Sequence, residues 1–264
     1  MFQPVSSEQA EILVAQLSEI GFEGFEEEGS TLKAFVAEKE VDEEALQSIL
    51  AKWNIQAERS VIRETNWNET WESGFQPVVV DDFVAVRAHF HQPNKAVQHE
   101  VIITPKMSFG TGHHATTYMM IRQMKDLSFS GKLVLDFGTG TGILAILAAK
   151  LGARRIVAID HDEWSITNCR ENILQNNVTS IELQQADSAA CNEQFDIILA
   201  NINKNVILDN LPVLAQQLLP DGILILSGLL AADQHDILQG IQSAGLQLQG
   251  VKDRHNWLSM KVSH

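Results

Sequence analysis

The sequence predicts an α/β protein: a doubly wound, mostly parallel sheet preceded by a small α+β unit. Three observations predict it. An apolar run, Leu133 to Phe137, ends in glycines at alternate positions (Gly138, Gly140, Gly142) and passes into an Ala/Leu/Ile-rich helix from Ile143 to Leu151. From that point apolar strand-like runs alternate with helical stretches, as a sheet covered on both faces requires. Ahead of it, roughly the first 60 residues read strand–helix–strand–strand–helix–strand, the split βαβ order of a ferredoxin-like domain.

In the first unit, Phe2 to Val5 reads as a short strand, and Ser6 with Gln9 makes a capping box for the helix that follows. Ala10, Leu13, Val14 and Leu17 recur at helical spacing. Gly21-Phe22 ends that helix and opens a strand to Glu28, and Leu32 to Ala37 returns after the Gly29-Ser30 turn. Asp42 caps a helix whose apolar face is Ala45, Leu46, Ile49 and Leu50, and Ile55 to Ile62 is the last strand. The predicted boundaries are 1–62 for this unit, 63–76 for a linker helix carrying Trp67 and Trp71 on one face, and 77–264 for the large domain.

Val78 to Val80 and Phe83 to Ala88 form a hairpin around Asp81-Asp82. His89, His91 and His99 lack metal-ligand spacing and read as surface or turn residues, and no metal is expected. The run Phe109-Gly110-Thr111-Gly112-His113-His114-Ala115-Thr116-Thr117 is rich in glycine and small donors ahead of an amphipathic helix to Met124. It is predicted to fold as a lid over whatever the later glycine turn binds.

Strand, glycine turn and helix N-terminus make a seat for a nucleotide-like cofactor, because glycine lets the main chain approach a ligand without a Cβ in the way. Asp160 ends the next strand, Ile156 to Ile159, ~20 residues beyond Gly138, where a carboxylate accepts the two hydroxyls of a ribose. Two cofactor classes use such a seat. Dinucleotides require G-x-G-x-x-G, whereas Ile143 stands at the third glycine position here. S-Adenosyl-L-methionine has no phosphate and needs only the close approach. The glycine spacing alone leaves both open.

Trp164 to Leu174 is a helix, Ile181 to Gln185 a third strand, and Asp187 follows it where an adenine partner is expected. Phe195 to Ala200 is a fourth strand. Asn201, at its carboxyl end beside the switch point, is the candidate polar group near the reacting centre. A helix from Val206 to Leu218, a strand from Ile223 to Leu226, a helix from Ala232 to Ala244 and a hairpin (Leu246 to Val251, Trp257 to Val262) complete the chain. Seven strands ending in an antiparallel hairpin form a Rossmann-like sheet of the methyltransferase kind; a dehydrogenase sheet ends in a parallel sixth strand.

The 264 residues carry 34 acidic and 19 basic side chains, a net charge of −15, which argues against a surface dedicated to nucleic acid and suits a basic partner. No apolar run approaches the ~18 residues of a membrane span, and no signal-peptide pattern opens the chain, so a cytoplasmic location without membrane binding is expected. Cys169 and Cys191 fit no metal or disulfide spacing and read as reduced thiols.

The Phe109–Thr117 run, the turn Asp136-Phe137-Gly138-Thr139-Gly140-Thr141-Gly142-Ile143-Leu144 and Ala200-Asn201-Ile202 together resemble the bacterial methyltransferase family that modifies large-subunit ribosomal protein eleven. The resemblance spans nearly the whole chain. It implies S-adenosyl-L-methionine as cofactor and N-methylation of lysine ε-amines and the N-terminal α-amine of that ribosomal protein. It further implies a ferredoxin-like domain that receives the substrate; a monomer that does not bind DNA is expected. Matched residue by residue, the resemblance gives Thr117, Gly138, Asp160 and Asn201 as cofactor-holding residues. Phe109, Gly110, Gly140 and Asp187 complete the expected site, and Asn201 is expected to orient the amine. Many nucleic-acid amino-methyltransferases carry Asn/Asp-Pro-Pro-Tyr after the fourth strand. Asn201-Ile202-Asn203-Lys204 lacks the prolines and the aromatic residue, which favours a protein amine over a base.

Overall fold

A computed structural model describes residues 2–3, 7–37, 39, 41–61, 75–105 and 114–264, with Ser7, Glu8, Glu11, Glu27 and Glu28 described by their backbone alone. The chain divides into two compact units, Met1–Asn66 and Trp67–His264. The predicted capping box at Ser6, the linker helix with its two tryptophans and most of the glycine-rich run fall outside the described residues.

The first unit is an antiparallel sheet of β1 (Phe2–Gln3), β2 (Phe25–Glu28), β3 (Thr31–Ala34) and β4 (Gln56–Ala57), in the order β2-β3-β1-β4. Helices α1 (Ser7–Glu19) and α2 (Glu43–Trp53) complete the ferredoxin-like order. Asp42 caps α2 as expected, accepting from Ala45 N at 3.0 Å. Phe2, Leu13, Leu17 and Leu32 are buried together. The strands are shorter than their apolar runs: β2 begins at Phe25, because Gly24 sits at φ +76, and β4 spans two residues.

The second unit contains two sheets. The smaller has the order β5-β6-β7, from β5 (Val78–Val80), β6 (Val84–Ala88) and β7 (His99–Ile103). The β5–β6 hairpin is the expected one; β7 is not, and it runs parallel to β6. Parallel neighbours usually need a crossover of a dozen or more residues, yet here 89–98 make the return. Arg87 and Glu100 hold that loop: Arg87 pairs with Glu100 at 2.8 Å and donates to His91 O, and Glu100 accepts from Asn94 N at 2.7 Å.

The larger sheet has the order β10-β9-β8-β11-β12-β14-β13. Its strands are β8 (Leu133–Phe137), β9 (Arg155–Asp160), β10 (Ile181–Gln185), β11 (Phe195–Asn201), β12 (Leu218–Leu230), β13 (Gln247–Arg254) and β14 (Trp257–Ser263). All neighbours are parallel except β14, which is antiparallel to both β12 and β13. Alternate residues serve the two faces. Val134, Ile156, Ile197 and Leu199 face one core, shared with α3 (Ala115–Met124) and α4 (Ile143–Lys150); Leu135, Phe137, Ile198 and Ala200 face the other, under α6 (Lys204–Gln217) and α7 (Gln234–Ser243). Helix α5 (Glu163–Gln175) follows β9. Residues 143–148 of α4 are buried all round, since this helix packs against β8 and β9 on one side and β7 on the other.

Candidate functional site

The sheet order reverses between β8 and β11. β9 lies on one side of β8, β11 on the other, and Phe137 pairs with Ala200, so Gly138 and Asn201 emerge side by side at the strand ends. That is the crevice in which doubly wound sheets bind ligands.

On the β8 side the glycine turn takes left-handed φ at Gly138, Gly140 and Gly142 (+75°, +54°, +81°). Gly138 N and Thr139 N both donate to Ile159 O at 2.9 Å, which ties the turn to β9. Asp160 completes the tie: Oδ2 accepts from Gly140 N at 2.8 Å and Oδ1 from Asp162 N at 3.1 Å. Each oxygen keeps a second lone pair, with the exposed His161 Nδ1 3.5 Å from Oδ1, so the oriented carboxylate still has acceptor capacity of the kind a vicinal diol needs. Beneath the turn Asp136 is buried, accepting from Thr139 Oγ1 at 2.6 Å and Ala145 N at 3.1 Å. Burial pushes its pKa up to about 7 against those two bonds, with the Asp160 charge adding to the rise. Cys169 packs against Gly142, and burial pushes this thiol up to about 12, so it is an inert packing group.

On the β11 side, Asn201 Nδ2 donates to Thr117 Oγ1 at 3.3 Å, while its buried Oδ1 has no hydrogen-bond partner among the described residues. An unpaired buried acceptor is costly, and this one belongs to the last residue of β11, at the crevice end of the sheet. Ile202 is pressed between two glycines. A Cβ on Gly138 would come within 2.8 Å of Ile202 Cδ1, and one on Gly228 (φ +88°) would run into the Ile202 main chain. Ile202 N also donates to Ser227 O at 3.1 Å, which ties the residue after β11 to β12. Asn203 caps α6 through Val206 N, and Lys204 is held by Asp233 and Asp236 at 2.8 and 3.1 Å.

Helix α3 begins at His114, whose Nδ1 accepts from Thr116 N and meets Thr116 Oγ1 at 2.7 Å. A capping acceptor must be unprotonated, and burial lowers the His114 pKa in the same direction. The β13–β14 tip closes on this turn: Trp257 meets His114 edge-on at 4.6 Å, and Arg254 lies over the Tyr118 ring at 3.6 Å.

Of the residues predicted from sequence, Gly138, Gly140 and Asp160 converge on one wall of the crevice, and Asn201 with Thr117 on the other. Asp187 is exposed just beyond β10, whose Gln185 pairs with Asp160. Phe109 and Gly110 lie outside the described residues. Sequence reasoning did not single out Asp136, although a carboxylate inside an apolar strand was the signal for it. Gly228 gave none beyond ending a strand. Among the described residues no cluster of His, Cys, Asp and Glu could hold a metal ion. What the crevice offers instead is a carboxylate with open acceptor positions and a glycine turn that a ligand can approach closely, on the wall opposite Asn201.

The model of the family described as ribosomal protein L11 methyltransferase matches residues 4–264. A ribosomal protein L11 methyltransferase of Porphyromonas gingivalis is 37% identical, over 96% of this chain and 90% of its own length. One from Phocaeicola vulgatus is 36% identical over 98% and 95%. Among solved structures, ribosomal protein L11 methylase from Lactobacillus delbrueckii subsp. bulgaricus superposes with a TM-score of 0.67 at 30% identity, covering 72% of this chain and 99% of that one. Sheet order, crevice and full-length similarity agree, and the chain belongs to the ribosomal protein L11 methyltransferase family.

Proposed function

We propose that this chain transfers methyl groups from S-adenosyl-L-methionine to amines of ribosomal protein L11, both lysine side chains and the N-terminal amine. The observation that carries the reading is the pairing of walls across one switch point: Asp160 with the glycine turn on β8–β9, and Asn201 held by Thr117 on β11. When bound, the cofactor supplies a methyl group activated by a sulfonium. Asp160 takes the ribose hydroxyls, Gly138 and Gly140 the main-chain approach, Asp187 the adenine end, and Thr117 with Phe109 and Gly110 covers the rest.

A lysine ammonium, with an ordinary pKa of about 10.4, must lose its proton before its nitrogen is nucleophilic. Desolvation in the crevice lowers that pKa, and the proton leaves to water. Asn201 is an amide and cannot act as base; its free Oδ1 accepts an N–H of the neutral amine and aims the lone pair. Residues 1–62 receive the ribosomal protein, 63–76 link, and 77–264 catalyse. The enzyme works as a cytoplasmic monomer without binding DNA; no helix among the described residues is long and apolar enough to cross a membrane.

Titration calorimetry tests the cofactor half. Wild type is expected to bind S-adenosyl-L-methionine and give no heat with NADH, and Asp160→Ala to bind at least tenfold more weakly; a wild type silent towards the cofactor refutes the reading. Single-turnover methylation of L11 at saturating cofactor tests Asn201. Asn201→Ala is expected to slow it by an order of magnitude or more, and an undiminished rate excludes the orienting role.

A further inference from the structure

Three residues at the β13–β14 tip, Arg254, Asn256 and Trp257, touch the start of α3 and the end of β12. Arg254 and Trp257 are the last pair of the hairpin, and His255 and Asn256 between them make a two-residue turn with both φ positive (+50° and +66°) and no glycine. Such a turn is normally built from Asn-Gly or Gly-Gly, so a histidine here is held by its surroundings. Asn256 O accepts from Ala231 N at 2.8 Å, anchoring the tip to the segment after β12. Trp257 lies edge-on to His114, and the Arg254 guanidinium is 3.6 Å from the centre of the Tyr118 ring. No carboxylate among the described residues forms a salt bridge with Arg254, so its fixed contact is the ring face. The Tyr118 hydroxyl reaches Asp81 at 3.4 Å. Between the two clamped residues of α3 sits Thr117, the hydrogen-bond acceptor for Asn201.

We propose that Arg254 is a positioning residue for methyl transfer. Stacked on Tyr118, it fixes the first turn of α3 so that Thr117 holds the Asn201 amide with its free oxygen turned to the amine. This rests on the orienting role of Asn201 proposed above. A guanidinium suits the task better than an ammonium, because its plane lies flat on a ring and stays charged at every working pH.

The test is a double-mutant cycle on the full chain, with kcat and KM for L11, thermal melting, and NMR of ring-labelled tyrosine, Tyr118 being the only tyrosine. Arg254→Ala is expected to lower kcat about fivefold, as loss of one cation–π stack predicts, with KM unchanged and the tyrosine resonances shifted in the resting enzyme. Arg254→Lys falls between, and serves alone if Arg254→Ala does not fold. Tyr118→Leu matches Arg254→Ala, and Tyr118→Phe, which keeps the ring, restores most of the loss. In the Asn201→Ala background the Arg254 substitution should have no further effect on kcat, since the group it positions is gone.

A fivefold loss that persists undiminished in that background, or a loss confined to KM, overturns the proposal while leaving the role of Asn201 intact. An Asn201→Ala enzyme with full kcat overturns the orienting role itself, and the proposal with it. Unshifted tyrosine resonances in Arg254→Ala refute the stack regardless of any activity.

Discussion

Asp136 is a carboxylate placed where an apolar side chain would pack, and its surroundings make it a pH-dependent element of the glycine turn. Its folded pKa is raised to about 7 by burial, above the ordinary carboxylate value. An acid whose folded pKa is raised keeps its full stability below the unfolded pKa and loses it as pH rises through the folded one. The window is therefore about pH 4 to 7, and the loss amounts to at most about 4 kcal/mol across it. Asp136→Asn keeps acceptors for Thr139 Oγ1 and Ala145 N but does not ionise. Urea unfolding at pH 5 and pH 8 should show wild type losing stability relative to this variant; parallel profiles would exclude the effect. Gly228 makes a second prediction. A side chain there is opposed both by its positive φ and by the Ile202 main chain, so Gly228→Ala should lower the melting temperature and weaken cofactor binding in calorimetry together. At this scale the sequence was legible where chemistry is local: the glycine turn, Asp160 and the Asp42 cap are read from neighbours in the chain. The Asn201–Thr117 bond joins residues 84 positions apart, and Ile202 is wedged between Gly138, in the turn after β8, and Gly228 on β12. No spacing rule reaches that far.

The elements follow the same division. The strands of the large sheet and its closing hairpin lie within a few residues of expectation, since period and punctuation mark them, except β12. It runs from Leu218 to Leu230 where Ile223 to Leu226 was expected, because Pro220-Asp221-Gly222 reads as a break whereas the strand passes through it with a shift of register against β11. β7 was missed for two physical reasons: it is a short apolar run led by His99 and Glu100, and it pairs in parallel without a helical crossover. Its outer edge is covered by side chains. Asn176 Oδ1 accepts from Ile102 N at 2.9 Å while its Nδ2 donates to Ile102 O at 2.6 Å, and Asn172 Oδ1 accepts from Thr104 N at 2.8 Å while its Nδ2 donates to Thr141 O. Two asparagines one turn apart, in the last turn of α5 and at its C-cap, thus replace the missing strand and connect β7 to the glycine turn. Asn176→Leu leaves the part-buried N–H and C=O of Ile102 without this partner, at a cost of about 1–3 kcal/mol. Amide exchange at Ile102 should accelerate well ahead of that in β8, and unchanged protection would show that the cap is dispensable.

For the molecule as a whole, the net charge of −15 acts at long range. If the substrate is a basic ribosomal protein, raising ionic strength from about 0.05 to 0.5 M should increase its KM several-fold while kcat stays level, because steering is screened and the desolvated crevice is not. A KM independent of salt would remove charge from the account of recognition. The antiparallel course of β14 has a different consequence. Its last residues run to the end of the sheet away from the strand ends that carry Gly138 and Asn201, where the His264 ring meets Leu218 O at 3.2 Å. A tether or fluorophore attached at His264 therefore sits on the far side of the sheet from the crevice. An enzyme immobilised through that residue would present its mouth to the solution, the orientation a surface-based binding assay requires.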